Sequence, residues 1–350
     1  MRRTRRSLTG ALLALLAVTG LAACGDDDGG DTAGDTSSTA AAESAFPVSI
    51  EHKFGTTEIT KAPERIVVVG LVEQDALLSL GVVPVATTEW FGEKPGALWD
   101  WATDKLGGAK PPEVLTNVDG VQFEKVAALK PDLILGIYSG LTPEDYATLS
   151  KIAPTVAQPK GGIDFGVSWQ DLTRTVGKAV GKPTEAEKVV TDTEALIAKA
   201  KTENPSFAGK TALMATNYEG YWVYGAQDSR GRLLTDLGFT LPEGLDSVTG
   251  TEFGANLSRE RTDLLNTDVL VWLVPQYDTD KAKIQADPLY AKLPVKTQGR
   301  DVYLEDEETV GAATSFISVL SIPYLMEKLV PQLAQAVDGN PATAVARATP

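Results

Sequence analysis

The side chains best suited to covalent or metal chemistry are scarce in this 350-residue chain, which holds one cysteine, Cys24, and one histidine, His52. A single thiol excludes a disulfide framework and a cysteine-rich zinc or iron–sulfur site, and a single imidazole leaves little for histidine-based metal binding or a catalytic triad. The sequence contains no Gly-x-Ser-x-Gly elbow and no phosphate-binding loop. Glu305-Asp306-Glu307-Glu308 could suggest a metal, but consecutive like charges read as a solvated loop, so no metal-ligating set is assigned. What remains is recognition chemistry. Trp90, Tyr138 with Ser139, Tyr218, Tyr221 with Trp222, and Gln276 each stand just beyond an apolar run. Loop aromatics cost exposure unless they cover something apolar. Trp169 joins this set from a helical pattern, and Arg230 in Asp228-Ser229-Arg230 is expected to supply local positive charge. His52 lies in a hairpin pattern and reads as structural.

The charge balance narrows the partners. Thirty-two basic and 47 acidic residues give −15, which argues against nucleic acid because phosphate affinity needs clustered lysine and arginine. Arg2, Arg3, Arg5 and Arg6 precede an apolar run from Leu8 to Leu21, the pattern of an export signal and short for a membrane span of roughly 20 residues. The run ends in Leu21-Ala22-Ala23-Cys24, which resembles a bacterial lipobox and makes Cys24 the expected lipid anchor. Thr4-Arg5-Arg6-Ser7-Leu8 leaves Sec and twin-arginine export both open. Residues 1–23 carry four arginines and no acids, so cleavage leaves 28 basic against 47 acidic residues, or −19. Residues 24–45 hold six acids and no bases and read as a disordered tether.

Elements must position the recognition residues. The run Arg65 to Gly70 is a buried strand, followed by a helical pattern through Ala76, Leu77 and Leu80 that stops at Gly81, then a second strand over Val82 to Thr87. Short apolar strands alternating with helices indicate an α/β fold with a mainly parallel sheet. Glu124 to Leu135 lines up with Glu260 to Val271, each a short helix, a turn with aspartate, and a buried strand. Copies 136 residues apart suggest two related lobes, 46–165 and 206–337, with a loose tail over 338–350. Between them, residues 166–205 are helical. The longest signal starts at Pro183, with Thr184 and Glu187 spaced as a capping box, and ends at Asn204-Pro205. A helix of about 30 Å could join two lobes across a cleft.

The lipobox, the hairpin pattern from Ile50 to Ile59 leading into Pro63 to Val67, Leu129 to Ile134, Leu149 to Pro154, and Leu234 to Phe239 together resemble the substrate-binding proteins of iron–siderophore, haem and cobalamin ABC importers. The resemblance implies two Rossmann-like lobes joined by one rigid helix, with a ligand cleft between them and no catalysis. It implies a ferric siderophore as transported ligand, with no resident cofactor, and haem or cobalamin as alternatives. It also implies docking to ABC permease subunits through Glu124 and Glu260, a lipid-anchored place on the extracytoplasmic face of the cell membrane, and a monomer. An exported serine-type hydrolase and a protein-interaction lipoprotein are the alternatives of other classes.

Overall fold

The computed structural model describes residues 45–217, 220–343 and 345–347. The export signal, Cys24, the tether and Tyr218 lie outside them. Strands β1 (Val48–His52) and β2 (Gly55–Ile59) form an antiparallel hairpin whose Ile50, His52, Thr57 and Ile59 turn inward. His52 is buried there. Its Nε2 meets Thr57 Oγ1 at 2.9 Å while Nδ1 accepts from the Phe54 N–H, and burial lowers its pKa. The imidazole is therefore a neutral structural group, as its position suggested.

The first lobe is a five-stranded parallel sheet ordered β5-β4-β3-β6-β7. Its strands are β3 (Ile66–Val68), β4 (Ala86–Thr88), β5 (Glu113–Leu115), β6 (Leu133–Gly136) and β7 (Thr155–Ala157). Helices α1 (Glu73–Ser79), α2 (Phe123–Ala128) and α3 (Pro143–Leu149) make its crossovers. The second sheet is ordered β10-β9-β8-β11-β12, from β8 (Ala212–Thr216), β9 (Tyr221–Tyr224), β10 (Gly254–Leu257), β11 (Val269–Val274) and β12 (Asp301–Glu305). In both lobes the chain reverses its direction of travel across the sheet beside the first-formed strand, which places a crevice at the carboxyl ends of β3/β6 and β8/β11.

The sequence repeat has a physical basis. Asp132 accepts from the backbone N–H groups of Glu64 and Arg65 at 2.9 and 2.8 Å, tying β6 to the start of β3. Asp268 accepts from the Thr211 N–H at 2.9 Å and ties β11 to the start of β8 in the same way. The likeness stops at β9. That strand is antiparallel to both neighbours, because the few residues between Thr216 and Tyr221 cannot make the dozen-residue crossover that a parallel strand needs. Tyr221 and Trp222, expected in a strand-end loop, are therefore in a strand.

Helices α4 (Trp169–Ala179) and α5 (Pro183–Glu203) connect the lobes. Ala186 of α5 packs in the first-lobe core, whereas Val190, Ile197 and Ala200 pack in the second. The capping box does not form. Pro183 occupies the first helical position, one residue too early for Thr184 to cap, and Glu187 pairs with Arg174 at 2.7 Å instead. The second lobe also holds α6 (Ser229–Asp236) and α7 (Tyr277–Ala286), and α8 (Thr309–Ser315) and α9 (Ser321–Val337) follow β12. The tail from Asp338 is less loose than its composition implies. Arg347 reaches Glu305 and Glu308 at 2.8 and 2.7 Å and lies 4.2 Å from the Tyr277 ring centroid. Part of the acidic run is thus an ion-pair partner rather than a solvated loop. Among the described residues no helix is long and apolar enough to cross a membrane.

Candidate functional site

A cavity of about 450 Å³ lies between the lobes. Its first-lobe wall is Leu71, Trp90, Tyr138 and Phe165, which follow β3, β4, β6 and β7. Its second-lobe wall is Thr216 at the end of β8, Trp222 and Tyr224 on β9, Asp228 and Arg230 at the start of α6, Phe253, and Asn256 on β10. Strand alternation decides which β9 rings face it. Trp222 and Tyr224 point into the cavity, and Tyr221 points the other way, 5.1 Å from Trp272 between ring centroids.

The rings are held by their neighbours. Trp90 lies 5.1 Å from Phe316 and 6.3 Å from Tyr138, and Tyr138 meets Phe165 edge-on at 5.8 Å. Trp222 lies 5.7 Å from Phe253, and a Cβ at Gly254 would stand 2.5 Å from the Trp222 indole nitrogen, so only glycine lets that ring cross β10. Buried Glu73 fixes the backbone beneath Tyr138. Its Oε1 accepts from the N–H groups of Ile137 and of Tyr138 (2.9 Å), and its Oε2 accepts from Val72 at 3.1 Å. The Tyr138 phenol is pushed up to about 12 by burial and by the nearby Asp228 charge, so it stays protonated at neutral pH.

Among the described residues the cavity wall carries two acidic or basic side chains, Asp228 and Arg230, and they belong to one pair. Arg230 Nη1 donates to both Asp228 oxygens at 3.1 and 3.0 Å, and Nη2 donates to Ser315 at 3.1 Å. The guanidinium also lies 4.1 Å over the Tyr224 ring. Burial disfavours its charge, but Asp228, Tyr224 and Tyr138 together outweigh burial and the pKa is raised. Asp228 accepts as well from the Arg230 backbone N–H at 2.8 Å, capping α6.

This is a ligand cleft at the switch points of two doubly wound sheets, and comparison with known proteins agrees with it. The periplasmic binding protein model matches residues 67–308, more than half of the chain. The chain belongs to the periplasmic binding protein family. It is 31% identical to the iron(3+)-hydroxamate-binding protein FhuD of Bacillus subtilis, over 66% of this chain and 67% of that one. A periplasmic solute-binding protein from Mycobacterium smegmatis superposes with a TM-score of 0.72 and 36% identity, covering 83% of this chain and 98% of that one. The iron-uptake protein PiaA of Streptococcus pneumoniae, in complex with ferrichrome, superposes at 0.75 with 30% identity, covering 84% and 99%. The family's members are solute-binding proteins that carry a transported ligand rather than a cofactor.

Of the residues expected in the binding-protein cleft, Trp90, Tyr138, Trp222 and Arg230 meet on the cavity wall. The others do not. Ser139 is buried behind Tyr138 and donates to the Gly136 carbonyl at 2.6 Å. Trp169 packs into the second-lobe core from the start of α4. Gln276 is exposed at the start of α7, and Tyr221 lines a separate depression with Arg259 and Asp287. Glu124 and Glu260 are exposed, each in the first turn of its short helix, one per lobe. Leu71, Phe165, Thr216, Phe253 and Asn256 escaped the sequence reading. Phe165-Gly166 and Phe253-Gly254 share an aromatic–glycine pattern after a turn, and Phe165 has φ +57°, a conformation bulky residues rarely adopt. That pair of dipeptides is the signal that could have found the two phenylalanines.

Proposed function

We propose that this chain is a membrane-tethered extracytoplasmic receptor that captures a ferric siderophore between its lobes and presents it to an ABC import permease. The observation that carries the reading is the interlobe cavity: aromatic on both walls, about 450 Å³, and within the roughly 300–1,000 Å³ usual for small-molecule sites. Trp90, Tyr138, Trp222 and Arg230, with Tyr224, are the proposed ligand contacts. Cys24 is the proposed anchor, and Glu124 and Glu260 are the proposed permease contacts.

Two tryptophans on the wall make the test direct. Titration with ferric siderophores should quench the intrinsic fluorescence saturably at nanomolar to micromolar concentration, and Trp222→Ala should weaken binding by about tenfold or more, as loss of a central aromatic anchor does. Quenching by haem or a corrinoid but by no ferric chelate would replace the cargo.

A further inference from the structure

The charge of the cargo is written in the cavity, and the argument rests on the siderophore reading above. Asp228 and Arg230 are the only charged side chains on the wall among the described residues, and they neutralise each other across 3.0 Å with both side chains almost fully buried. Arg230 is therefore no free counter-ion for an anion. Its Nε–H is buried and has no partner among the described residues. A neutralised pair offers no attraction to net charge, and an anion would have to displace Asp228 to gain the guanidinium.

The surroundings carry the same sign. A groove shares Leu71, Trp90 and Phe165 with the cavity and adds Glu89, Glu93 and Glu307, with no basic residue in its described lining. Lys94, next in sequence, is engaged 4.8 Å over the Trp99 ring. Asp306, which follows β12, is close enough to Arg230 for the guanidinium to lower its pKa in part against the burial that raises it. The field in the adjoining groove opposes anions and favours neutral or cationic ligands.

Iron(III) bound by three hydroxamates is neutral, or positive when the chelator carries a free ammonium, whereas three catecholates leave a charge of −3. We infer that the cargo is a neutral or cationic ferric chelate of the tris-hydroxamate class, seated with its apolar rim against Trp90 and Trp222.

Fluorescence titration of the intact protein with three iron(III) complexes tests this: a neutral cyclic tris-hydroxamate, a linear tris-hydroxamate bearing an ammonium, and a tris-catecholate. Both hydroxamates should half-saturate at least about tenfold below the catecholate, and the cationic one should gain most as salt is lowered. Equal or tighter binding of the catecholate overturns the charge inference and leaves the siderophore reading standing. Silence with all three overturns both. Asp228→Asn keeps a capping side chain on α6 and removes the negative charge. It should shift the catecholate-to-hydroxamate ratio about tenfold toward catecholate. An unchanged ratio in the folded variant overturns charge matching, and should the variant not fold, the three-ligand comparison on the unaltered protein decides.

Discussion

Glu73 has no cation beside it, yet its carboxylate holds the turn that aims Tyr138 into the cleft. Burial pushes its pKa up to about 7 from an ordinary 4.5, and the N–H donors of Tyr138, Val72 and Ile137 only partly offset this. Between those two values the folded protein keeps a proton that the unfolded chain releases. The stabilisation is fully present below about pH 4.5 and is lost as pH rises to about 7, a change of about 3 kcal/mol. Glu73→Gln should remove that slope in urea denaturation measured from pH 4.5 to 7.5. The difference between the two proteins isolates Glu73 from Asp75, which burial raises to about 6, and from His52. If both proteins lose stability equally with rising pH, Glu73 is ionised throughout. Gly70 belongs to the same device, since a Cβ there would stand 2.0 Å from Glu73 Oε1. Gly70→Ala should cost about 1–3 kcal/mol in thermal unfolding, as overpacking does, and weaken chelate binding by displacing Tyr138. Little of this was legible beforehand. Glu73 follows a strand and opens a helix, and composition alone makes it an ordinary first-turn acid.

At the scale of elements, strands and helices were read well wherever apolar spacing alone decides them. The run at β3, the stop at Gly81, the paired segments at β6 and β11, and the extent of α5 all follow from it. What escaped depended on how elements join and pair. The direction of β9 is set by a short connection, and the missing cap on α5 by Pro183 at its first position, with Glu187 drawn to Arg174. The order in the tail depends on Glu305 and Glu308 meeting Arg347. The helical connection has a legible weak point of its own. A Cβ at Gly177 in α4 would lie 2.2 Å from the Ala186 Cβ in α5 and 3.0 Å from the Lys182 carbonyl oxygen. The two helices touch only because one contributes no side chain. Gly177→Val should therefore push them apart and destabilise the fold by about 2–3 kcal/mol, read as a lowered urea midpoint with the slope retained. An unchanged midpoint would mean that α4 and α5 adjust freely.

The whole molecule is built to move little. Helix α5 is anchored in both cores, and α8 leads from the last strand of the second lobe to Phe316, which packs in the core of the first. Bonds also cross between the lobes. Asp75 of α1 accepts from Ser318, and Arg232 of α6 donates to the Gly166 carbonyl, at the end of the first lobe, at 2.8 Å. Wide hinging would have to break these together. Small-angle scattering should accordingly show that a saturating chelate changes the radius of gyration by less than about 1 Å, the scale of a pre-organised complex. Restricted motion suits the two proposed permease contacts to act as a pair. Glu124 and Glu260 sit on different lobes at a separation that the joined cores hold nearly constant, so a permease carrying two matching basic sites can read both at once. Two charge-assisted contacts on one rigid body gain from effective concentration, whereas either alone is weak. Because both side chains are exposed and outside the cavity, replacing them by alanine should leave chelate affinity within about twofold, as surface substitutions do. The single variants should lower iron–siderophore uptake in cells partially and the double variant should abolish it. Unimpaired uptake by the double variant would show that the permease grips another surface.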